Sequence, residues 1–301
     1  MLIDDARVRV IGDNPEHCHA LMSNIDEFVA KGGVVVDVQS AVDYLFDREF
    51  PSIGSWVEIP RHIHDARPPD SVTWIEYSRE KARFGALLFW APLEAFRIAD
   101  HELIEWTNTS RPSTVLCFYL LSFARPPGIA SVCPGGWGVF LNENGCVEYA
   151  PSGDFVIASS DQALSANEKC RQYVHQHIPI SLFALSMMNV KNISLRKHAP
   201  DAKLQAKRKK KGKHPLVAYH TIEIEAPGKR PSGPHGNGND TFSGNSRPLH
   251  LVRGHIADYR SGKGLFGKHK GVFYVPSHMR GSSENGVVHK RYKTVSSVED
   301  A

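Results

Sequence analysis

The chain has 301 residues, 41% of them hydrophobic and 23% charged, enough for a real core in one large domain or two modest ones. Its 24 glycines and 19 prolines lie near ordinary usage, which excludes a collagenous or low-complexity chain, and no run reaches the ~18–20 apolar residues of a membrane span. The net charge of +4 conceals a partition: residues 1–190 carry 14 Lys and Arg against 24 Asp and Glu, whereas residues 191–301 carry 22 against 8.

The opening MLIDDARVRV is acidic and has no apolar stretch, so it does not read as a secretory signal. Asn14 and Pro15 form a cap and first-turn pair for a helix running to about Ala30, before Gly32 and Gly33. Ser40 is expected to cap a second helix through AVDYLFDREF, stopped by Pro51. SVTWIEY (71–77) and ARFGALLFW (82–90) read as strands joined in a hairpin by the short charged link from Ser78 to Lys81. Glu76, between Ile75 and Tyr77, is expected opposite to Trp74 and in solvent. STVLCFYLLSF (113–123) is a continuous apolar run, the pattern of a central strand buried on both faces. In GVFLNENGCVEY (138–149) the Asn144-Gly145 pair signals a second hairpin, and DFVIAS (154–159) adds a strand. Ser165 and Glu168 have capping-box spacing for a helix to Val190, kinked or split at Pro179, with ISLFALSMMNV (180–190) in the core.

Beyond Asn192 the character changes. KLQAKRKKKGK (203–213) holds seven cationic side chains in eleven residues and no acid. LVAYHTIEI (216–224) returns to strand alternation, and residues 225–248 form a polar Gly/Pro/Ser/Asn-rich loop expected to be mobile. PLHLVRGHI (248–256), KGVFYVP (270–276) and GVVHKRYKTV (286–295) close the chain as strand-like segments. The whole reads as α+β, with a mixed or antiparallel sheet and packed helices. An acidic α+β domain over 1–190, for partner recognition, precedes a basic, β-rich region over 191–301.

A charge asymmetry of this size points to an anionic partner, nucleic acid first, or else to an acidic half docking on a basic half. Lys203, Lys207, Arg208, Lys209, Lys210 and Lys211 offer phosphate contacts, and Lys268, Lys270, Arg280 and Arg291 extend them. Phe266, Phe273 and Tyr274, interleaved with cations, are candidates for stacking on bases. If 249–256 is one strand, Arg253 and His255 share a face, and His289, Arg291 and Lys293 share another. Histidine transfers protons near neutral pH while Arg and Lys stabilise charge on phosphate oxygens, the set a metal-independent ribonuclease needs. The alternative is that Arg253 and His255 satisfy backbone carbonyls at a strand end.

The His17/His19, His62/His64 and His175/His177 pairs lack a third ligand at recurring spacing, so neither metal nor cofactor is expected. Nucleotide-loop, dinucleotide, serine-hydrolase and zinc-protease signatures do not occur. Five scattered cysteines without a C-x-x-C pair argue against a disulfide scaffold or zinc ribbon and fit a reducing cytoplasm.

RGHIADYRSGKGLFGKHKGVFYVPSHMRG resembles the closing signature of a broad family of phage, prophage and plasmid proteins. SVTWIEY followed by ARFGALLF, and the block MMNVKNI to KLQAKRKKKGKHPLVAYHTIEI, are similar to upstream parts of the same family. One branch comprises the type V-A anti-CRISPR proteins, which cause loss of the CRISPR effector's mRNA. That branch shares an R-G-H core, here Arg253, Gly254 and His255, an aromatic at Tyr259, and a later aromatic–Val pair at Tyr274 and Val275. The resemblance implies control of a specific transcript through RNA or a translating ribonucleoprotein in the host cytoplasm, and adds Tyr259 to Arg253 and His255 as a candidate catalytic residue. Two other readings stand beside it: a non-enzymatic inhibitor or adaptor that grips a host protein through its basic C-terminal surface, and an accessory of DNA packaging or replication.

Overall fold

The β-branched and aromatic run VTWIEYSR forms a strand at the point where the main sheet changes from antiparallel to parallel, and the rest of the larger unit is layered around it. The computed structural model describes residues 2–7, 9–12, 15–45, 63–79, 82–92, 114–123, 129–133, 136–148, 157–159, 168–224, 248–252, 255–275, 278–280 and 282–287. The chain divides into two compact units, Met1–Glu223 and Ile224–Ala301.

In the larger unit the helices are α1 (Leu2–Ala6), α2 (Pro15–Ala30), α3 (Gln39–Tyr44), α4 (Glu168–Met188) and α5 (Ala202–Lys210). The strands are β1 (Val10–Ile11), β2 (Val34–Asp37), β3 (Val72–Arg79), β4 (Ala82–Pro92), β5 (Thr114–Phe123), β6 (Ala130–Val132), β7 (Trp137–Leu141), β8 (Ile157–Ser159), β9 (Ile193–His198) and β10 (Tyr219–Ile224). They make one ten-stranded sheet in the order β1-β6-β5-β4-β3-β2-β10-β9, with β7 paired to β5 and β8. β3 is antiparallel to β4 and parallel to β2, and β10 is parallel to β2. The result is the expected α+β architecture with a mixed sheet.

The hairpin expected between β3 and β4 forms in full register from Val72 opposite Phe89 to Arg79 opposite Ala82. β5 is central as expected, its apolar run flanked by β4 along its whole length. Its other edge is shared, Thr114–Phe118 with β7 and Leu121–Phe123 with β6. At the second hairpin Gly145 takes φ +75, and the Asn142 side chain accepts the Asn144 and Cys146 N–H groups, closing the turn before a bridge from Leu141 to Val147.

Helices cover both faces. On one, α2 buries Cys18, Leu21, Ile25 and Phe28, spaced three and four apart, against Val35, Trp74, Leu87, Leu121 and Phe123. Gly32 at φ +74 ends that helix, with its own and the Gly33 N–H returning to the Val29 and Phe28 carbonyls. On the opposite face lie α3 and α4, whose Tyr44 and Phe183 rings stack 6.1 Å apart. α4 passes Pro179 as one helix rather than two. Burial of Val174, Ile178, Leu182, Phe183 and Leu185, at about 1.5–3 kcal/mol each, outweighs the ~3 kcal/mol that an interior proline costs. The Ser40 cap is corrected: α3 begins at Gln39 after Val38, without a side-chain cap, and Asp37 Oδ1 accepts the Gln39 N–H instead. Residues 46–50 of that expected helix, and Ser165, lie outside the described residues.

Glu76 is also corrected. Residues two apart on a strand share a face, so Trp74 and Glu76 point the same way, into the α1 side of the sheet. Glu76 is buried, and its Oε2 accepts the Trp74 Nε1–H at 2.9 Å, the Leu2 N–H at 2.9 Å and the Ile3 N–H at 3.3 Å. Desolvation raises its pKa, while the Trp74 and Leu2 hydrogen bonds pull it back down.

The division between units falls after Glu223, not at 190, because β9 and β10 join the large sheet whatever their charge. In the smaller unit the expected strand over 248–256 is two: β11 (Pro248–Val252) and β12 (His255–Asp258). β11 lies between β14 (His278–Arg280) and β15 (Ser282–Val287), while β12 pairs antiparallel with β13 (Val272–Val275). The loop at 225–247 and residues 288–301, with His289, Arg291 and Lys293, lie outside the described residues. Cys18, Cys117 and Cys146 are free thiols, but Cys133, just past β6, is disulfide-bonded, a departure from wholly reduced cysteines. Among the described residues no helix is long and apolar enough to cross a membrane.

Glu76→Ala leaves three donors facing a cavity where each unsatisfied group costs about 1–3 kcal/mol. Urea denaturation should show a loss of roughly 3–5 kcal/mol for Glu76→Ala and a clearly smaller loss for Glu76→Gln, which keeps one acceptor. Equal, sub-kcal effects would contradict the buried role.

Candidate nucleic-acid interface

Of KLQAKRKKKGK, the part up to Lys210 is helical because its ends are specified and its middle is unbranched. Asp201 caps α5, its side chain accepting the Leu204 N–H at 2.9 Å. At the other end Gly212 takes φ +61, its N–H reaches the Lys209 carbonyl and the Lys213 N–H reaches the Arg208 carbonyl, the paired bonds of a Schellman stop. α5 buries none of its residues. It is fastened by Gln205, whose amide both donates to the Leu216 carbonyl at 2.8 Å and accepts the Leu216 N–H at 2.9 Å. The same loop is tied to the N-terminal helices by Arg7, which donates to the Pro215 carbonyl and pairs with Asp26 of α2.

This fastening leaves Lys203, Lys207, Lys209, Lys210, Lys211 and Lys213 exposed. Arg208 differs: it is half-buried, and its Nε donates to the His214 carbonyl at 2.8 Å, so it acts as a strut as well as a charge. Lys203 and Lys207, and Lys207 and Lys211, are four apart, a like-charge spacing that destabilises a helix by about 0.2–0.5 kcal/mol per pair. Asp201, an acid, and Gln205, a neutral amide, serve the helix and not an anionic ligand, and neither is among the candidates read from the sequence. The signal was there: an Asp immediately before AKLQAKRKK is an N-cap, and Gly212 after it a C-terminal stop.

The smaller unit holds the other candidates. His255 is exposed on β12, opposite Val275 of β13. Tyr259 is half-buried just past β12, its N–H bonded to the Gly271 carbonyl and its ring edge-on to Phe273. His255 opens β12 and Tyr259 follows its end, four residues further along the chain. Arg253 and Arg291 lie outside the described residues. Tyr274 is only 6% exposed, which removes its ring as a stacking platform. Phe266 is 65% exposed, on a turn carrying exposed Lys263, Lys268 and Lys270. Arg280 is exposed at the end of β14, opposite His250.

Other reactive groups in the larger unit are sealed. The Tyr77 hydroxyl lies 2.5 Å from His177 Nδ1, and the imidazole is enclosed by Phe84 and Tyr173 with ring centroids at 4.0 and 4.2 Å. Burial, helped by the positive Arg79, depresses the His177 pKa to about 3, and burial raises those of Tyr77 and Tyr173. The neutral imidazole therefore accepts the phenol O–H, a polar strut between β3 and α4. Burial likewise pushes the Cys117 thiol up to about 12, leaving it inert. A groove of about 370 Å³ between the end of α2 and the β3–β4 pair is floored by Phe28, Val72 and Phe89 and gathers no catalytic set. Among the described residues no group of three His, Cys, Asp or Glu side chains is placed to hold a metal ion. Compared with known proteins, the chain matches no family model, no curated protein and no solved structure.

A histidine held neutral takes up its proton only on unfolding, so its contribution is full above the unfolded pKa near 6.5 and is lost as pH falls towards 3. Unfolding free energy should decline by up to ~1.4 kcal/mol per pH unit over that window from this group alone. His177→Gln should show a shallower decline between pH 6.5 and 4 in urea titrations. An identical slope in both proteins would contradict the sealed, neutral His177.

Proposed function

We propose that the protein binds RNA through the phosphate backbone, with α5 as its anchor, and acts as a regulatory or anti-defence factor of a phage or other mobile element in the host cytoplasm. The observation that carries this reading is α5 itself: exposed Lys203, Lys207, Lys209 and Lys210 on a helix capped at both ends and strapped to the fold, with exposed Lys211 at its C-cap and Lys213 just beyond. Such a helix has no packing role of its own. Its repulsive lysine pairs are relieved only when an anion lies across them, and each phosphate neutralised releases condensed counterions.

The resemblance of the Arg253–Val275 signature to proteins that remove a specific mRNA favours RNA over DNA and transcript control over packaging. The reading is of binding rather than cleavage, since what carries it is a set of exposed cations and not an acid–base pair.

Replacing Lys207, Lys209, Lys210 and Lys211 by Gln in the full chain should weaken RNA binding evenly across sequences. The slope of log affinity against log salt should flatten by roughly 0.7 per lost contact on a single strand. The fold should be no less stable, because like-charge repulsion is removed. An unchanged slope and affinity would remove α5 from the interface. Capture of an acidic host protein with gentle salt dependence, and no RNA, would replace the reading with that of an adaptor.

A further inference from the structure

The β12–β13 hairpin ends in RSGKGLFGKHKG, and its tip is held in a set shape. Gly262, Gly264, Gly267 and Gly271 all take positive φ. Leu265 and His269 bridge, each N–H bonded to the other's carbonyl at 2.8 and 3.0 Å, and the Lys268 N–H returns to the Leu265 carbonyl at 3.1 Å. A Cβ at Gly264 would stand 2.9 Å from the His269 carbonyl oxygen, so that glycine is required by the fold of the tip.

The tight turn from Leu265 to Lys268 has Phe266 and Gly267 at its centre, at φ +53 and +71. Two central residues with positive φ mark the type I′ class, whose first central position suits Asn, Asp or Gly. Phe266 is the one non-glycine residue with positive φ among the described residues, and at 65% the most exposed of their large hydrophobics. A bulky side chain there is strained by its backbone and denied burial. Lys263, Lys268 and Lys270 of the same tip are exposed, and Arg260 at its start is paired with Asp258 at 2.7 Å.

We propose that Phe266 is a pre-set stacking platform for an unpaired nucleobase, flanked by lysines that take the adjoining phosphates, so that the RNA the protein recognises is single-stranded at this point. The inference rests on the nucleic-acid reading above and specifies its substrate. The turn is already ordered by its own hydrogen bonds, so stacking does not have to order it. A base offers a π-face whatever its identity, whereas a paired duplex presents none of its faces to a tip of this size.

The test compares binding of the full chain to a short oligouridine and to a duplex RNA of equal length. Phe266→Ala and Phe266→Gly should weaken oligouridine binding roughly 5- to 100-fold and leave duplex binding unchanged. Phe266→Trp should retain it. The glycine variant suits the left-handed backbone, so its loss of affinity cannot be ascribed to a collapsed turn. Wild-type affinity in the Ala and Gly variants, or an equal loss on both RNAs, would overturn the proposal. So would Phe266-dependent sedimentation with phosphatidylcholine–phosphatidylglycerol vesicles alongside oligouridine binding that ignores residue 266. Salt-steep RNA binding that depends on α5 but not on Phe266 overturns this proposal alone, whereas a chain that binds neither RNA overturns both.

Discussion

One buried carboxylate holds together the part of the molecule from which the rest is hung. Glu76 sits on β3, in register with Asp37 of the parallel neighbour and Gly85 of the antiparallel one. Its Oε2 receives the first N–H groups of α1 and the indole N–H of Trp74, so that a helix end with no intrahelical partner is closed by the sheet beneath it. Gly85 makes this geometry available: a Cβ there would fall 2.5 Å from the Trp74 ring, which lies across the bare backbone. Trp74, Glu76 and Gly85 thus form one unit in which each residue type is set by the other two. The core of Leu2, Ile3, Leu21, Ile25 and Leu121 closes around it.

The basic segment obeys a different logic. α5 buries none of its residues; polar bonds from Asp201, Gln205 and Arg208 hold it, with Arg7 holding the loop that follows. These bonds hold the backbone and leave the lysine heads to solvent, which is the arrangement that keeps cations close together without burying them. The smaller unit repeats the theme at the β12–β13 turn, where glycines and backbone bonds present one aromatic ring among lysines. Side-chain bonds to backbone groups build the order in the first place and backbone bonds in the second, and both leave lysine side chains exposed.

Much of the fold was legible wherever the signal was local. The β3–β4 hairpin, the Asn144-Gly145 turn, the Pro15-initiated α2 and the apolar β5 and α4 follow from short-range chemistry and periodicity. For Glu76, its parity with Trp74 is present in the sequence, but its partners Leu2 and Ile3 lie more than seventy residues away and follow only from the fold. The charge boundary near residue 190 was a poor guide to the unit boundary, since pairing of β9 and β10 depends on backbone edges rather than on side-chain sign. The lysines of α5 were legible as a phosphate footprint from composition, but the helix that spaces them went unassigned. Among the aromatics, Tyr274 and Phe266 were equivalent in sequence, and only the hairpin register and a turn with positive φ decide which is buried and which is displayed.

Hydrogen–deuterium exchange of the full chain, with and without a single-stranded RNA, tests the central claim most directly because it reports where the ligand lies without prior choice of residues. The account predicts slowed exchange over residues 201–213 and over the turn at 262–270, with the Tyr77–His177 region unchanged. Protection confined to other surfaces, or none under conditions where RNA is bound, would contradict it.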